Sequence, residues 1–547
     1  MLTRDNYEQL RSTFALKVPP RFNYVRHVVD NWASSQPDKL ALIAVEPDGN
    51  SANRYTFADI SARASEAADL LGELGVNKGD RVFVMLPRVV EWYDILLGCI
   101  RLGAIPMPAT MQLTPRDVAY RVNAADASVV VTDDDGHEAV AGALGECPAV
   151  EAKIIVGQVK SGWTSYRDAI RTHRASAMLE DTASDDPMLI YFTSGTESYP
   201  KMVLHTQASY GIGHEITARF WHDLGESDVH WTVSDTGWAK AAWGKLFGQW
   251  RLGACVLMWN IIGKPDFDRM LRIIGEQGVT TFCAPPTIYR AFAQMDLSKY
   301  DLTGLRHSTA AGEPLNPEVI KVWRDATGLQ IYDGYGQTET VNIVANLPGI
   351  DVRPGSMGLP VPGFDVQIVD DAGNIVDDGV EGNIAVRIEP KRPVGLFKEY
   401  WRDSEKNERV FRDGWYYTGD RATRDSDGYI WFVGRADDVI LSSAYRIGPF
   451  EVESALLEHV AVAEAAVVGK PDPGRGEIVK AFVILAAGFL PTAELGEQLK
   501  EHVKATTAPY KYPREIEFVD ELPKTVSGKI RRVELREQKA RDQAVRR

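Results

Sequence analysis

The sequence predicts an α/β protein with a large N-terminal domain of parallel α/β sheets, a β-rich subdomain and a small α+β C-terminal domain. Short apolar runs alternate with helix-like stretches over the first two thirds of the chain. After Asn346 strands follow one another with little helix between them, and beyond residue 440 strands and a helix mix again. The 547 residues exceed what one ordinary core needs, so two or more domains are expected.

The first part of the chain predicts strands separated by helices. RVFVMLP, from Arg81 to Pro87, is typical of a buried strand, and residues 89–102 place apolar side chains at helical spacing. SVVVTDD and AKIIVG predict two more strands. The pattern returns from PMLIYF, at 187–192, through VHWTVSD, GACVLMWN and VTTFCAPP. Such alternation predicts a mostly parallel sheet with helices on both faces.

In the later part of the chain the predicted elements no longer alternate between strand and helix. DVQIVDDAGNIV has two alternating runs around Asp-Ala-Gly and predicts a hairpin, followed by the strands EGNIAVRI and GYIWFVGR. EAAVVGK and VKAFVILAA predict strands of a last domain, with a helix near 492–504. We therefore place an N-terminal domain at 1–434, with its β-rich subdomain at about 347–434, a hinge at 435–440 and a C-terminal domain at 441–547.

Composition limits the partners. A net charge of −15 argues against nucleic acid, because phosphate binding needs a basic face. No run reaches the length of a membrane span, and the first residues lack the apolar run of a signal peptide, so we expect a cytoplasmic protein. The four cysteines form no CxxC pair and are expected to be buried free thiols in a reducing compartment. The oligomeric state is left open.

One loop is rich in hydroxyl groups. YFTSGTESYPK, from Tyr191 to Lys201, follows an apolar strand and is not a Walker A loop. Its Ser and Thr side chains donate hydrogen bonds, Gly195 permits close approach of the backbone, and Lys201 supplies positive charge. These are the groups that a polyphosphate requires. Alone, such a loop is also compatible with a plain solvated turn.

Further motifs follow in a fixed order along the chain. They are AGEPL at 311–315, DGYGQTE at 333–339, WYYTGD at 415–420, GRADD at 434–438 and PKTVSGKIRR at 523–532. With these motifs, from about Phe22 to Arg532, the sequence resembles the adenylate-forming superfamily of acyl-CoA synthetases, luciferases and peptide-synthetase adenylation domains. YFTSGT, SDTGW, GQTET and SSAYRIGPFEVE are most similar to medium-chain acyl-CoA synthetases.

The resemblance implies an ATP site in the N-terminal, AMP-binding domain. Lys529 is the expected catalytic residue, in contact with the substrate carboxylate and the α-phosphate, together with Thr338 and Glu339. Glu339 is also the expected Mg²⁺ ligand, since this hard cation prefers oxygen and needs few carboxylates beside phosphates. The residues expected to contact ATP or AMP are Thr193, Ser194, Gly195, Thr196, Glu197, Ser198, Tyr199, Pro200, Lys201, Gly312, Glu313, Pro314, Asp333, Gly334, Tyr335, Gly336, Gln337, Thr338, Asp420, Arg435 and Lys529.

The resemblance also implies a coenzyme A site on a mobile C-terminal domain, which turns about Asp437 between the two half-reactions. The expected coenzyme A contacts are Gln112, Ser443, Ala444, Tyr445, Arg475, Lys504 and Tyr512. The carboxylic acid, expected to be medium-chain, branched or aromatic, is placed near Trp238, Gly312, Thr338 and Arg446. The basic residues among these are also compatible with a solvated face.

The acyl pocket is the least readable part of the sequence. Trp238, Trp243 and Trp259 are compatible either with the wall of an apolar pocket or with core aromatics. Lys240 follows Trp238 closely and would pair with a polar acid if it faced the pocket; otherwise it is solvated. His205, His214 and His230 are expected to be structural or pocket-lining residues, because in-line attack of the substrate carboxylate on the α-phosphate needs no protein base.

Two departures from the family pattern keep alternatives open. Glu197 and Ser198 stand where the family's loop usually has Thr or Ser and then Gly, and Ala444 stands where related synthetases have Gly. The leading function is an acid–CoA ligase. The alternatives are an adenylating enzyme that delivers its acyl group to a carrier-protein thiol or oxidises it, and a nucleotide-binding homologue with impaired catalysis.

Overall fold

The structure is a computed structural model that describes residues 2–172, 179–193, 200–312, 317–435, 438–442, 445–472, 475–507, 509–524, 530–532 and 534–536. At positions 172, 317, 318, 445, 446 and 509 it describes the backbone alone.

The described strands are, in chain order, β1 Leu40–Val45, β2 Ala52–Thr56, β3 Arg81–Met85, β4 Ile105–Pro108, β5 Val129–Asp133, β6 Ala152–Val156, β7 Thr164–Ser165, β8 Pro187–Thr193, β9 Lys201–Thr206, β10 Val229–Thr232, β11 Cys255–Trp259, β12 Thr281–Ala284, β13 His307–Ala311, β14 Ile331–Tyr335, β15 Val344–Ala345, β16 Leu359–Pro360, β17 Val366–Val369, β18 Gly382–Arg387, β19 Glu399–Tyr400, β20 Phe411–Arg412, β21 Trp415–Arg424, β22 Ile430–Arg435, β23 Ile440–Ser442, β24 Tyr445–Ile447, β25 Val462–Asp472, β26 Gly476–Leu485 and β27 Glu515–Phe518.

The described α-helices are α1 Arg4–Thr13, α2 Asp30–Ser35, α3 Phe57–Glu73, α4 Val90–Leu102, α5 Pro115–Ala125, α6 His137–Ala143, α7 Tyr166–Thr172, α8 Gln207–Gly211, α9 His214–Ile216, α10 Ala239–Gly244, α11 Phe247–Arg251, α12 Phe267–Glu276, α13 Pro286–Phe292, α14 Pro317–Thr327, α15 Ser404–Val410, α16 Pro449–Leu457 and α17 Ala493–Thr506. Val25–Val29 and Thr217–Trp221 are π-helical turns, and Leu144–Glu146, Leu297–Lys299 and Pro509–Lys511 are 3₁₀ turns.

The largest sheet has nine strands in the order β16-β15-β14-β13-β12-β10-β11-β1-β2. The neighbours from β14 to β1 run parallel, whereas β15, β16 and β2 pair antiparallel at the two ends. Along β11, Val256 and Met258 enter one apolar core and Leu257 and Trp259 enter another. The strand is therefore covered on both faces, which is why its sequence, CVLMW, is apolar throughout.

A second sheet, β4-β3-β5-β6-β7, is parallel throughout. Its strands β3, β5 and β6 and the helix α4 lie where the sequence predicts them. PMLIYF also forms a strand, β8, but β8 pairs antiparallel with β9 in a separate three-stranded sheet with β19. The expectation that this strand joins the parallel sheet is wrong, because Thr193 at the end of β8 pairs antiparallel with Lys201 at the start of β9.

The β-rich part is an antiparallel sheet of β17-β18-β21-β20, with β22 on β21. The predicted turn in DVQIVDDAGNIV is present, since the Asp370 N–H donates to the Asn374 carbonyl at 2.8 Å. Its second arm is reduced to one bridge, between Val369 and Ile375. The strand β16, inside the range predicted for the subdomain, belongs instead to the nine-stranded sheet.

The last part of the chain has its own sheet, β24-β23-β26-β25, with β27 parallel to β26. Side chains of α16 and α17, such as Leu456 and Leu499, share one apolar core with Val467 and Val483 of the sheet. All four cysteines of the protein are buried and free, as predicted. These sheets confirm the predicted α/β fold class with a β-rich part and a small α+β part at the end.

Candidate active site at the carboxyl edge of the nine-stranded sheet

Three strand ends bring the central motifs together. β13 ends at Ala311, β14 ends at Tyr335, and β10 ends at Thr232 before the SDTGW loop. Ala311 lies beside Gly334 in the parallel register, so AGEPL and DGYGQTE are neighbours. Since carboxyl ends of parallel strands share one edge, this is where such a sheet places a ligand site.

Two glycines of DGYG let β14 approach large aromatic side chains. A Cβ atom added at Gly336 would lie 2.4 Å from Trp243, and one at Gly334 would lie 2.5 Å from Trp221. Both positions therefore require glycine for packing. Gly312 differs, because its φ is +110° and a Cβ there would meet nothing within 4 Å, so it borders open space.

Asp420 is fixed by donors from a different sheet. The Tyr335 hydroxyl donates to Asp420 Oδ2 at 2.6 Å, and Gln337 Nε2 donates to the same oxygen at 2.7 Å. Burial and, to a smaller extent, the charge of Asp420 raise the pKa of Tyr335 well above its usual value. The Tyr335 hydroxyl therefore keeps its proton. Asp420 is itself buried, and its cross-strand neighbour in the β21–β22 pair is Arg435.

The backbone of Thr338 is held by two buried side chains. His205 Nε2 lies 2.8 Å from the Thr338 carbonyl oxygen, and the Tyr210 hydroxyl donates to that oxygen at 2.6 Å. A carbonyl only accepts, so His205 donates from Nε2. Burial lowers the pKa of His205 to about 3, which keeps the ring neutral. His205 is thus a support for the GQTET turn, the structural role that the sequence predicts.

Glu339 and Lys201, the last residue of the hydroxyl-rich motif, share Tyr400 as a neighbour. The Tyr400 hydroxyl donates to Glu339 Oε1 at 2.7 Å, and Lys201 Nζ lies 5.7 Å from the centre of the Tyr400 ring. Glu339 is only 9% exposed. A buried carboxylate that accepts from a neutral hydroxyl has the oxygen chemistry that fits Mg²⁺. Among the described residues, no group of three or more His, Cys, Asp or Glu side chains could hold a metal ion.

The hairpin β8–β9 fixes both ends of the hydroxyl-rich loop, because Thr193 pairs with Lys201. Several expected site residues lie outside the described residues: Ser194, Gly195, Thr196, Glu197, Ser198, Tyr199, Glu313, Pro314, Asp437, Ser443, Ala444 and Lys529. For Tyr445 and Arg446 only the backbone of β24 is described.

The SDTGW loop and the helix that follows it cross the same edge. Trp238 is half-buried directly before α10, Lys240 Nζ donates to the Ala311 carbonyl at 2.8 Å, and Lys245 Nζ donates to the Thr232 carbonyl at 2.7 Å. Lys240 is therefore not simply solvated. Trp243 is a core residue that also contacts Gly336, whereas Trp259 packs against Trp231 on the other face.

The other two candidate histidines are also buried. His230 places Nδ1 2.7 Å from Thr281 Oγ1 and Nε2 2.8 Å from Thr232 Oγ1, and His214 places Nδ1 3.2 Å from Thr217 Oγ1. Burial lowers the pKa of both.

The expected coenzyme A residues fall into separate groups. Arg475 precedes Gly476, which pairs with Ser442, the first residue of SSAYR. Lys504, on α17, places Nζ 4.3 Å from the centre of the ring of Tyr512, which follows the 3₁₀ turn Pro509–Lys511. Gln112 is exposed in the N-terminal part, just after β4. Of this set, Lys504 and Tyr512 are thus brought into contact.

Sequence reasoning missed the aromatic side chains that support the site. Tyr210 holds Thr338, Tyr400 holds Glu339, and the Tyr416 hydroxyl donates to Gln337 Oε1 at 3.0 Å. Nothing in a sequence distinguishes such tyrosines from ordinary core residues. Only their placement around the GQTET turn reveals the role.

Comparison with known proteins gives the class. The pattern of the AMP-binding enzyme family matches residues 29–401, and that of the AMP-binding enzyme C-terminal domain matches 451–529. The chain belongs to this family.

Particular relatives narrow the class. The mitochondrial acyl-coenzyme A synthetase ACSM3 of Mus musculus is 45% identical over 97% of this chain and 93% of that protein. Human mitochondrial ACSM4 is 46% identical, over 96% and 92%. The solved anthranilate CoA ligase AuaEII, in complex with anthranoyl-AMP, is 32% identical with a TM-score of 0.87, over 95% and 98%. The chain is an ATP-dependent acyl-CoA synthetase, which forms an acyl-adenylate and then acyl-CoA and AMP. Across the described residues, the helices are too short or too polar to cross a membrane.

Proposed function

We propose that this synthetase activates a medium-chain, branched or aromatic carboxylic acid at the carboxyl edge of the nine-stranded sheet. The observation that carries the proposal is that the GQTET turn at this edge contains the buried Glu339 and, through Gln337, donates a hydrogen bond to the buried Asp420. Asp420 has the geometry of an acceptor for ribose hydroxyls, and Glu339 has the chemistry of a Mg²⁺ ligand.

The nucleotide lies, in this proposal, across β13 and β14. The α-phosphate approaches the backbone at Gly312, where an added Cβ atom would meet none of the described residues within 4 Å, and the flat face of Tyr335 stacks on adenine. The hydroxyl-rich loop from Thr193 to Lys201, which includes Pro200, holds the triphosphate. The remaining residues expected to contact the nucleotide are Asp333, Gly334, Gln337, Thr338 and Arg435. Bound Mg²⁺ would neutralise phosphate charge, and Glu339 would hold it.

Adenylation is an in-line displacement in which a carboxylate oxygen bonds to the α-phosphorus and pyrophosphate leaves. The protein contributes positioning and charge, because no covalent protein intermediate is needed. Lys529 is the proposed donor between the two anions, where its positive charge offsets the charge that builds in the transition state.

Thioester formation follows when the coenzyme A thiolate attacks the acyl carbon and AMP leaves. We propose that the C-terminal domain turns about Asp437 between the two steps, because one small domain cannot present two faces at once. Ser443 to Arg446 then replace Lys529 at the adenylate, with Arg475, Lys504 and Tyr512 toward the nucleotide end of coenzyme A.

The acid class is supported by two features. Trp238 is half-buried at the edge beside Lys240, so an apolar acyl group has an aromatic neighbour and a nearby cation. The solved relative AuaEII is an anthranilate CoA ligase, and anthranilate is an aromatic acid.

A panel of acids tests the proposal. The purified protein is incubated with ATP, Mg²⁺ and acetate, hexanoate, octanoate, 2-methylbutyrate, benzoate, anthranilate or palmitate, with coenzyme A, a phosphopantetheinylated carrier protein or neither. We expect thioester with coenzyme A alone, and the highest kcat/KM for one of the middle five acids. Acylation of the carrier protein but not of coenzyme A would overturn coenzyme A as the acceptor. A preference for acetate or palmitate would overturn the proposed class of acid.

The proposed compartment is the cytoplasm. The four buried free cysteines support a reducing environment. The mouse and human relatives are mitochondrial proteins. Fractionation of cells that produce the tagged protein, with cytoplasmic and mitochondrial markers, distinguishes the two.

A further inference from the structure

The described residues that flank 525–529 lie next to each other. Lys524 and Ile530 form an antiparallel bridge, and the Arg531 N–H donates to the Pro523 carbonyl at 2.8 Å. Residues 525–529 lie outside the described residues, but the two chain ends that flank them are held together. Ile530, Leu522 and Leu535 pack with Phe482 on the face of the C-terminal sheet opposite α16 and α17. We call the described residues 522–524, 530–532 and 534–536 the lysine segment.

Arg532 ties the lysine segment to α16. Its Nη2 donates to both carboxylate oxygens of Glu453, at 2.8 Å each. Glu453 is 6% exposed, and its Oε1 also accepts from the Val467 N–H at 2.7 Å. A carboxylate this deeply buried depends on its cation, because removal of one partner leaves an uncompensated charge.

The same arginine reaches the pivot. Arg532 Nη1 lies 3.7 Å from Asp438 Oδ2, and Arg536 Nη2 donates to Asp438 Oδ1. Asp438 directly follows Asp437, and its side chain is 11% exposed. Its N–H donates to the Arg435 carbonyl at 3.0 Å, so Asp438 lies beside the end of β22.

Arg536, Asp438, Arg532 and Glu453 form a continuous series of ion pairs from the pivot to α16. Arg532, three residues after Lys529, is the member that links Asp438 to Glu453. A neighbouring arginine provides a contrast, because Arg531 is 53% exposed and pairs locally with Glu534. Of the two adjacent arginines, Arg532 has the burial and the two partners needed to fix the orientation of the segment.

We propose that Arg532 is a positioning residue for Lys529, which it fixes to the pivot through Asp438 and to α16 through Glu453. The described residues of the lysine segment then turn with the C-terminal domain, and Ile530, to which Lys529 is bonded, keeps its place against the C-terminal sheet. This inference rests on the proposed role of Lys529. It does not make Arg532 a catalytic residue, since Arg532 acts only through the segment.

The two half-reactions separate this role from a merely structural one. Misplacement of a reacting group by about 1 Å can cost about 10²-fold in rate. In Arg532→Ala we therefore expect pyrophosphate release from acid and ATP to fall about 10²-fold. Thioester formation from a supplied acyl-adenylate should stay within about twofold, because it does not use Lys529. Arg532→Lys should recover part of the first step, and Arg531→Ala should change neither step.

Arg532→Ala leaves Glu453 buried without its cation, which destabilises the fold, so the double variant Arg532→Met with Glu453→Gln is measured beside it. The double variant removes both charges and should show the same selective loss with an unchanged thermal unfolding midpoint. Equal loss of both half-reactions at an unchanged midpoint, or no loss in either, would overturn the inference. Absence of pyrophosphate release and of thioester in the unmodified protein with every acid would overturn the proposed function instead.

Discussion

At the scale of single residues, the candidate site depends on side chains that orient other side chains. Asp420 receives hydrogen bonds from Tyr335 and Gln337, and Gln337 in turn receives one from Tyr416. The two hydrogen bonds to Asp420 restrict the rotation of its carboxylate before a nucleotide binds. Such preorganisation stabilises binding because less ordering remains to be done in the complex.

The hydroxyl of Tyr335 provides a direct test. Tyr335→Phe removes one charge-assisted hydrogen bond to Asp420, of a kind that contributes about 1.5–3 kcal/mol. We expect the KM for ATP to rise about 10-fold or more, with a smaller change in kcat, in a pyrophosphate-release assay. Tyr332→Phe on the same strand, three residues away, is the matched control and should leave the KM unchanged. An unchanged KM in Tyr335→Phe would show that Asp420 does not contact the nucleotide.

At the scale of elements, the SDTGW loop and α10 connect the two parallel sheets across the site. The Thr236 hydroxyl donates to the Leu86 carbonyl at 2.6 Å, and Leu86 follows β3 of the second sheet. Two lysines then cap strand ends of the first sheet, Lys240 at β13 and Lys245 at β10. Burial lowers the pKa of Lys245 to about 7, which shows how deeply this connection is enclosed.

Gly237 makes a close contact with the backbone of Thr110 in this connection. A Cβ atom there would lie 2.0 Å from the Thr110 backbone nitrogen, which a side-chain rotation cannot relieve. Gly237→Ala should therefore displace the loop, with a cost of about 1–3 kcal/mol in unfolding free energy and at least about a 10-fold loss of kcat/KM for the acid. The control is Gly145→Ala, where a Cβ would meet nothing within 4 Å. If the two variants behave alike, the loop does not shape the acyl site.

At the scale of the whole molecule, the interior contains many buried titratable groups. Burial lowers the pKa of the five described histidines that are buried: His205, His214, His222, His230 and His307. Two carboxyl groups have the opposite effect on how stability changes with pH, because burial raises the pKa of Asp94 and of Asp133 to about 6. The pH dependence of stability follows from the balance of these groups.

The sign of that dependence is set by proton binding. A histidine with a pKa of about 3 in the folded protein, such as His230, binds its proton near pH 6.5 only when the chain unfolds. Stability should therefore fall as pH drops below about 6.5, at about 1.4 kcal/mol per pH unit for each such histidine, partly offset by the two carboxyls.

Urea unfolding between about pH 5 and 6.5 measures the slope of unfolding free energy against pH. His230→Gln should reduce that slope by about 1.4 kcal/mol per pH unit, the contribution of one proton. Gln keeps a polar side chain near Thr281 and Thr232 but does not titrate in this range. The same slope in the variant and the unmodified protein would contradict the assignment of His230 as a buried neutral ring.

The sequence by itself determined the class of protein, several parallel strands of both α/β sheets and the order of the motifs, because strand periodicity and loop chemistry are local properties of the chain. It did not place PMLIYF, since pairing direction depends on the path of the following residues, which return as β9. It also did not reveal Tyr210, Tyr400 or Arg532. Their partners, Thr338, Glu339 and Glu453, are 128, 61 and 79 residues away in the chain. Only the tertiary structure decides contacts of such separation, because they arise where the fold buries a polar group and requires a partner for it.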